Sequence, residues 1–517
     1  MDARQLEARL DVALALLDEL GEDRGLLAQV DAERRRHLME ICGRLSHPDK
    51  SSLRKQAKAF RRKEKEEKRS ADEELLASTQ IRQLRAAAVF PTPSPLLAGA
   101  KAVEGELPEP SARVEDAGAR RLREPRKCYV CKTEFSEVHF FYDQLCGPCA
   151  ELNWAKRQQT ADLRGRVALV TGARVKIGYQ ASILLLRAGA RVLVTTRFPR
   201  DAAARYARES DYEAFRERLD IFGLDLRHTP SVEAFASYVG GTYERLDFVL
   251  NNACQTVRRP AGFYRHLLER EGAPLMALPS EEQRLLQRYE ELRSGNAQAE
   301  ALIAGSGPVV DGRAAGLRAA ADLSQLALLR EDLEQSQAIF PMGRLDQDLQ
   351  QVDMREQNSW RMTLAQVPTV ELLEVQLVNA IAPFVLNARL KPLMMRTGTR
   401  DQHIVNVSAM EGQFYRDFKT DKHPHTNMAK AALNMMTRTS AVDYARDGIH
   451  MNSVDTGWVT DEDPAAIAAR KVEEHGFHPP LDIVDGAARI VDPIFDGLRT
   501  GLHAWGKFFK DYKETPW

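Results

Sequence analysis

GRVALVTGARVKIGYQASILLLRAGARVL, residues 165–193, is the stretch that decides the fold of this chain. Residues 167–170 are a short apolar, β-branched run of the kind that fits a strand buried on both faces. Thr171 and Gly172 break it. From Gly178 onward Ile183, Leu184, Leu185 and Leu186 recur at helical spacing, and Gly189 closes the helix. A second strand, 191–196, follows at once. Strand, glycine turn, helix and parallel strand make the βαβ unit that holds a dinucleotide. Its pyrophosphate sits where free backbone N–H groups and the helix dipole favour an anion.

With 517 residues, the chain is too long for one ordinary core, and two or more domains are expected. A net charge of -1 gives no global pull toward nucleic acid or an anionic membrane. No apolar run is read as long enough to span a bilayer, and the start MDARQLEARLD is no signal peptide. The expected compartment is therefore the cytoplasm, or the nucleus in a eukaryotic cell.

Residues 1–88 read as an α-helical region. Leu6, Leu10, Ala13, Leu16 and Leu17 share a face, which predicts a hairpin or small bundle. His47-Pro48-Asp49 copies a cochaperone signature without its aromatic surroundings and reads as coincidence. The run 50–69 is basic, but Glu64, Glu66 and Glu67 are interleaved and no aromatic is placed to stack on bases. It reads as a solvated helix face stapled by charge pairs rather than a nucleic-acid site. Residues 89–125, rich in Pro, Ala, Gly and charge, form a linker.

Cys128-Tyr-Val-Cys131 and Cys146-Gly-Pro-Cys149 are two CxxC knuckles at a separation that sets four thiolates around one structural Zn²⁺. They define a module over 126–160. A thioredoxin-like use of Cys146 and Cys149 lacks the βαβ context such chemistry needs.

From residue 161 to 517 the chain resembles the short-chain dehydrogenase/reductase family, an α/β Rossmann fold with a doubly wound parallel sheet. TGARVKIG (171–178) matches TGxxxGxG with Lys176 at the middle glycine. LDL (224–226), NNAC (251–254), IVNVSAMEG (404–412), HTNMAKAAL (425–433) and NSVDTGWVT (452–460) follow in family order. The resemblance implies coenzyme contacts at Thr171, Gly172, Arg174, Lys176, Ile177, Gly178, Thr196, Arg197, Asp225, Leu226, Asn251, Asn252, Ala253, Lys430, Gly457 and Thr460. Arg174 and Arg197, with no acid ending the second strand, imply NADP rather than NAD. Family members usually assemble through the helices carrying Asn379 and Lys430, which implies a homo-oligomer unless the insert redirects it.

Between Cys254 and Asn379 roughly 100 residues exceed any ordinary loop. They form a helical insertion over about 258–357, read as a lid or partner-binding cap beside the crevice.

The resemblance also implies a catalytic set of Asn379, a serine, a tyrosine and Lys430. Here Ala409 replaces the serine and Thr426 the tyrosine. Ser408, one residue earlier on a strand, faces the opposite way. His425 at the helix start and Tyr415 in the loop before it are the candidate replacement acids, with His423 a weaker one. Two readings follow. One is an NADP(H)-dependent oxidoreductase with a rebuilt proton donor and an unknown carbonyl or alcohol substrate. The other is a catalytically degenerate coenzyme-binding sensor or scaffold with a protein partner. The first is the leading expectation.

Overall fold

Ten strands form among the residues that the computed structural model describes, 2–95, 120–303, 315–333, 336–415 and 419–517. β1 (Arg121–Lys127) and β2 (Glu134–Glu137) pair as an antiparallel hairpin. The other eight are β3 (Val167–Thr171), β4 (Arg191–Thr196), β5 (Leu219–Gly223), β6 (Phe248–Asn251), β7 (Gln402–Ser408), β8 (Ile449–Asp455), β9 (Phe508–Lys510) and β10 (Lys513–Thr515). They make one sheet in the order β10-β9-β8-β7-β6-β3-β4-β5. All neighbours in it are parallel except β10, which turns back on β9.

Strand order reverses between β3 and β6, so their carboxyl ends open the crevice where such sheets take ligands. β3, β4, β5, β6 and β7 are buried along nearly their whole length, as continuous apolar runs require when helices cover both faces. The third strand ends at Gly223, one residue before the expected 224–226 motif, which therefore lies in the loop. The hairpin partner β10 was not foreseen.

Met1–Glu74 and Leu75–Trp517 are separate compact units. The helical region therefore divides before residue 88, and Leu76, Ile81 and Leu84 belong to a core of the second unit. Within the first unit three helices, Ala3–Glu22, Ala32–Ser46 and the long Lys50–Ala77 that runs past its end, form no bundle: no described residue of 2–74 is buried. Leu10 is 53% exposed and Leu16 54%, so the expected bundle is corrected to helices that leave their apolar faces open. Asp49 accepts from the N–H groups of Ser51 and Ser52 at 2.7 and 3.1 Å, which makes His47-Pro48-Asp49 a helix start. Arg62–Glu66, Lys63–Glu67 and Lys68–Glu64 are paired along the basic helix.

β1 already begins at Arg121, so the linker end expected at residue 125 gives way to the hairpin; residues 96–119 lie outside the described ones. The 27 residues Thr369–Met395 are, by composition, long and apolar enough to cross a membrane, contrary to the first reading. Half of its most apolar 18-residue stretch is buried within the protein.

The segment 258–357, read from the sequence as an insertion, does two jobs. Its helix Ser280–Ile303 sends Leu285, Leu286, Tyr289 and Leu292 into the main core beside β5, closing an otherwise open sheet edge. Its later part returns toward the crevice.

Candidate functional site

The turn after β3 is built around two close approaches. Gly172 has φ +67, and a Cβ there would lie 2.7 Å from Ala253 Cα, so only glycine fits. A Cβ on Gly178 would overlap the Asn252 amide. That amide donates to the carbonyls of Thr171 and Gly172 at 3.0 and 3.1 Å, and Ala253 N–H donates to Thr171 Oγ1 at 3.0 Å. Asn251 donates to Asn387 and Asn406, both at 2.8 Å. Thr171, Gly172, Gly178, Asn251, Asn252 and Ala253 frame the crevice.

Lys176 has φ +57, the left-handed conformation that favours glycine, and begins the helix Lys176–Arg187. The N-cap, Val175, offers no side-chain acceptor, so the helix N–H groups stay open to an anion. Lys176 is partly exposed and makes no hydrogen bond among the described residues. Burial pulls against its charge, but Glu462, Asp348 and Asp346 outweigh that and hold its pKa above the ordinary lysine value. Glu462 is the residue that sequence reading missed. Its carboxylate accepts from Thr460 at 2.9 Å and Thr256 at 3.0 Å, and only its place two residues after Thr460 hinted at a role.

The basic residues expected to meet a 2′-phosphate are placed differently. Arg174 is buried, donating to Asp201 at 2.7 Å and Gln350 at 3.1 Å, so it is not free for a ligand. Arg197 lies on the ring of Tyr264 and donates to its hydroxyl at 2.6 Å and to Ser324 at 3.2 Å. Thr196 Oγ1 accepts from Phe198 N–H at 3.1 Å. Asp225 is paired with Arg227 at 2.6 Å, its N–H donates to Gly316 O at 2.9 Å, and Leu226 is buried. Ser324, Gly316 and Gln350 all come from the insertion, which therefore lies against this end of the crevice.

At the other end, Asn379 sits in a π-helical turn, Leu377–Ile381. Its amide donates to Gln255 O at 3.0 Å and its carbonyl accepts from Gln255 N–H at 2.8 Å. Lys430 Nζ donates to Val407 O at 2.8 Å. Thr426 points at Thr256 O, 3.5 Å away. Ser408 turns to the other face and donates to Asn434 at 2.6 Å.

Neither replacement acid hydrogen-bonds to Lys430, whose ammonium donates to Val407 O. His425 begins the helix Pro424–Arg446 but faces Glu371, 3.9 Å off, and both ring nitrogens are buried without a partner. Burial, then His423, lowers its pKa to about 4, so it is neutral at pH 7 and has no proton to give. Tyr415 is 45% exposed, its hydroxyl 3.9 Å from Met410 Sδ. His423 stacks on Trp360.

Burial holds His139, His425 and His478 at a pKa of about 4. The unfolded chain therefore binds more protons than the folded one from about pH 6.5 down to 4, and stability falls through that window by up to about 3 kcal/mol per histidine. Urea unfolding at pH 7 and pH 5 checks this; His425→Leu should flatten the difference, and an unchanged slope contradicts it.

The sulfurs of Cys128, Cys131, Cys146 and Cys149 lie within 4.8 Å of one another. Cys131 and Cys146 are 3.5 Å apart, close to the ~3.8 Å that tetrahedral bonds of ~2.3 Å to zinc would set. The donor set fits a structural Zn²⁺. Buried Arg157 fixes the module to the C-terminal helix Ile483–Thr500, donating to Asp482 at 2.6 Å and Asp485 at 3.0 Å, and Tyr142 donates to Asp485 at 2.6 Å.

Residues 166–299 match the short-chain dehydrogenase family, and residues 312–478 match the family described as enoyl-(acyl carrier protein) reductase. Both matches fall within the Rossmann domain, which is similar to the short-chain dehydrogenases over those residues. An uncharacterized protein of Acanthamoeba polyphaga mimivirus is 29% identical over 75% of this chain and 74% of its own length. Dehydrogenase/reductase SDR family member 13 of Bos taurus is 36% identical over 19% of this chain, and the match spans only 27% of that relative. Among solved structures, the Pseudomonas aeruginosa RhlG/NADP active-site complex is 17% identical, with TM-score 0.41, over 67% of this chain and 95% of that one. A short-chain dehydrogenase from Burkholderia cenocepacia in complex with NADP is also 17% identical, with TM-score 0.40, over 67% of this chain and 96% of that one.

Proposed function

We propose that this short-chain dehydrogenase-type protein binds a nicotinamide dinucleotide and reports its presence to a partner, without the family's tyrosine-dependent hydride transfer. The observation that carries this is the surroundings of Lys430. Ala409 and Thr426 stand at the sequence positions of the hydroxyls that touch substrate in the family, and Lys430 donates to Val407 O with no hydrogen bond to a phenol or an imidazole among the described residues. Reduction of a carbonyl needs a proton for the alkoxide, and a threonine is far too weak an acid to supply it.

What supports coenzyme binding is the turn itself: an uncapped helix N-terminus and an ammonium without a hydrogen bond. The coenzyme would bring hydride chemistry; the chain would hold its pyrophosphate at Lys176 and the helix start, and its nicotinamide end beside Thr460 and Lys430. Arg197 is the remaining base for a 2′-phosphate, which keeps NADP ahead of NAD. Zn²⁺ in the four-cysteine module is structural. A homo-oligomer would form through Phe384, Met428 and Met435, which are exposed on the helices carrying Asn379 and Lys430. The partner surface we assign to the unburied helices of 2–74.

Calorimetry with NADPH and NADH, beside turnover on a panel of carbonyls and alcohols, tests the reading. NADPH should bind, tighter than NADH, with no steady oxidation by any substrate. Sustained turnover that Lys430→Ala abolishes would instead favour an oxidoreductase, the reading that the retained Asn379 turn and Lys430 support.

A further inference from the structure

Tyr129 lies inside the first CxxC knuckle, between Cys128 and Cys131, yet its hydroxyl leaves the module. It accepts the N–H of Trp458 at 2.9 Å. Trp458 belongs to the loop 455–460 after β8, which carries Gly457 and Thr460. Gly457 has φ +77, and a Cβ there would stand 3.4 Å from Tyr129 Oη. The loop's inner end is held separately: Asp455 accepts from Gly457 N–H and Met410 N–H, each at 2.7 Å.

Beyond Trp458 the loop reaches the coenzyme turn by two routes. Val459 packs in one core cluster with Cys128, Cys146, Leu481 and Val484, and Ile177 of the turn packs against that cluster. Thr460 donates to Glu462, whose charge faces Lys176. A contiguous set of contacts therefore runs from the thiolates through Tyr129 and 458–460 to Ile177 and Lys176. The backbone of the knuckle is held locally, by Cys128 N–H on Thr133 O and Tyr129 N–H on Gln144 O, both at 2.9 Å. Without the cation the cysteines take up protons and lose the metal–sulfur bonds that tie Cys128 and Cys131 to Cys146 and Cys149, which frees that turn to open.

We propose that Tyr129 is a positioning residue that makes the coenzyme crevice depend on the metal: a zinc-filled knuckle holds the loop 455–460 in place, and a metal-free one releases it. This rests on the coenzyme reading above for its ligand, though not for the loop's response. Binding energies are reciprocal, so coenzyme should in turn tighten the hold on zinc.

The test is amide hydrogen exchange on the full chain in three forms, zinc-loaded, chelator-stripped and zinc-loaded Tyr129→Phe, with zinc content and NADPH affinity measured on each. The phenyl ring keeps the packing and removes only the acceptor. Tyr129→Phe should keep its zinc, exchange faster at 457–460, and bind NADPH ~5-fold more weakly, the factor that one ordinary hydrogen bond is worth. Stripping should shift the same amides further. Unchanged exchange at 457–460 in both altered forms overturns the proposal. Faster exchange with no NADPH binding by any form would leave the coupling standing and sink the coenzyme reading instead.

Discussion

Replacing Cys146 with serine is expected to release the zinc and to cost the second unit several kcal/mol of stability. Cys146 is nearly buried and is the N-cap of the helix Gly147–Arg157; serine is a good N-cap, so the substitution removes a thiolate while keeping the helix start. Apparent zinc-binding free energies of ~10–16 kcal/mol in isolated fingers count directly as folding free energy. Less is at stake here, because Phe141, Tyr142, Leu145 and Ala150 are also buried against Leu481, Ile483 and Val484. The larger consequence lies at Arg157. Burial opposes the charge of Asp482, but Arg157 overrides it and holds that carboxylate below its usual pKa, while the neighbouring Asp485 is pushed up by burial and by Asp482. If the module melts, Arg157 leaves and two buried carboxylates lose their cation, a class of change that costs about 3–5 kcal/mol. Urea unfolding with a zinc-release dye reads both effects. Cys254→Ser, at an exposed cysteine far along the chain, is the control and should change neither. A Cys146→Ser variant that unfolds at the parental midpoint would show that the module contributes nothing to the fold.

Much of the Rossmann order was legible because period and position agreed. Short β-branched runs at 167–171 and 248–251, each followed by a turn residue, form β3 and β6 where the sequence puts them. What could not be read is which partner an apolar or charged side chain would find. The spacing of Leu285, Leu286, Tyr289 and Leu292 says that a helix face is buried; it does not say that the covering surface is the β5 edge rather than the crevice. The leucines of the first helix carry the same periodicity and stay exposed, since amphipathicity states a need for a partner without naming one. Arg174 is a case of the same kind: its place in the motif pointed to a phosphate, and residues distant in sequence hold it through Gln350 and Asp201. His425 shows the limit of local geometry: its place near the helix start named no partner, and a distant residue, Glu371, lies 3.9 Å from its ring.

Lys176→Glu should reduce NADPH affinity by a factor of about 10 to 100, since a hydrogen bond to a charged group is worth about 1.5–3 kcal/mol. The new carboxylate would also join Glu462, Asp346 and Asp348, the groups whose summed charge now raises the lysine's pKa. A dinucleotide brings two phosphate charges to that position, and four acids around an uncapped helix end would repel it. Lys176→Gly separates charge from shape. Glycine adopts φ +57 without the strain that lysine pays there, about 1 kcal/mol, so that variant should fold at least as stably as the parent. It restores the bare backbone of the family's turn but leaves Glu462 without its cation. Its NADPH affinity should therefore fall between parent and Lys176→Glu, and recover when Glu462→Gln is added. Calorimetry on the four proteins gives the order. If Lys176→Glu binds NADPH as well as the parent, the ammonium is there to neutralise Glu462 alone, and the pyrophosphate must be sought elsewhere on the chain.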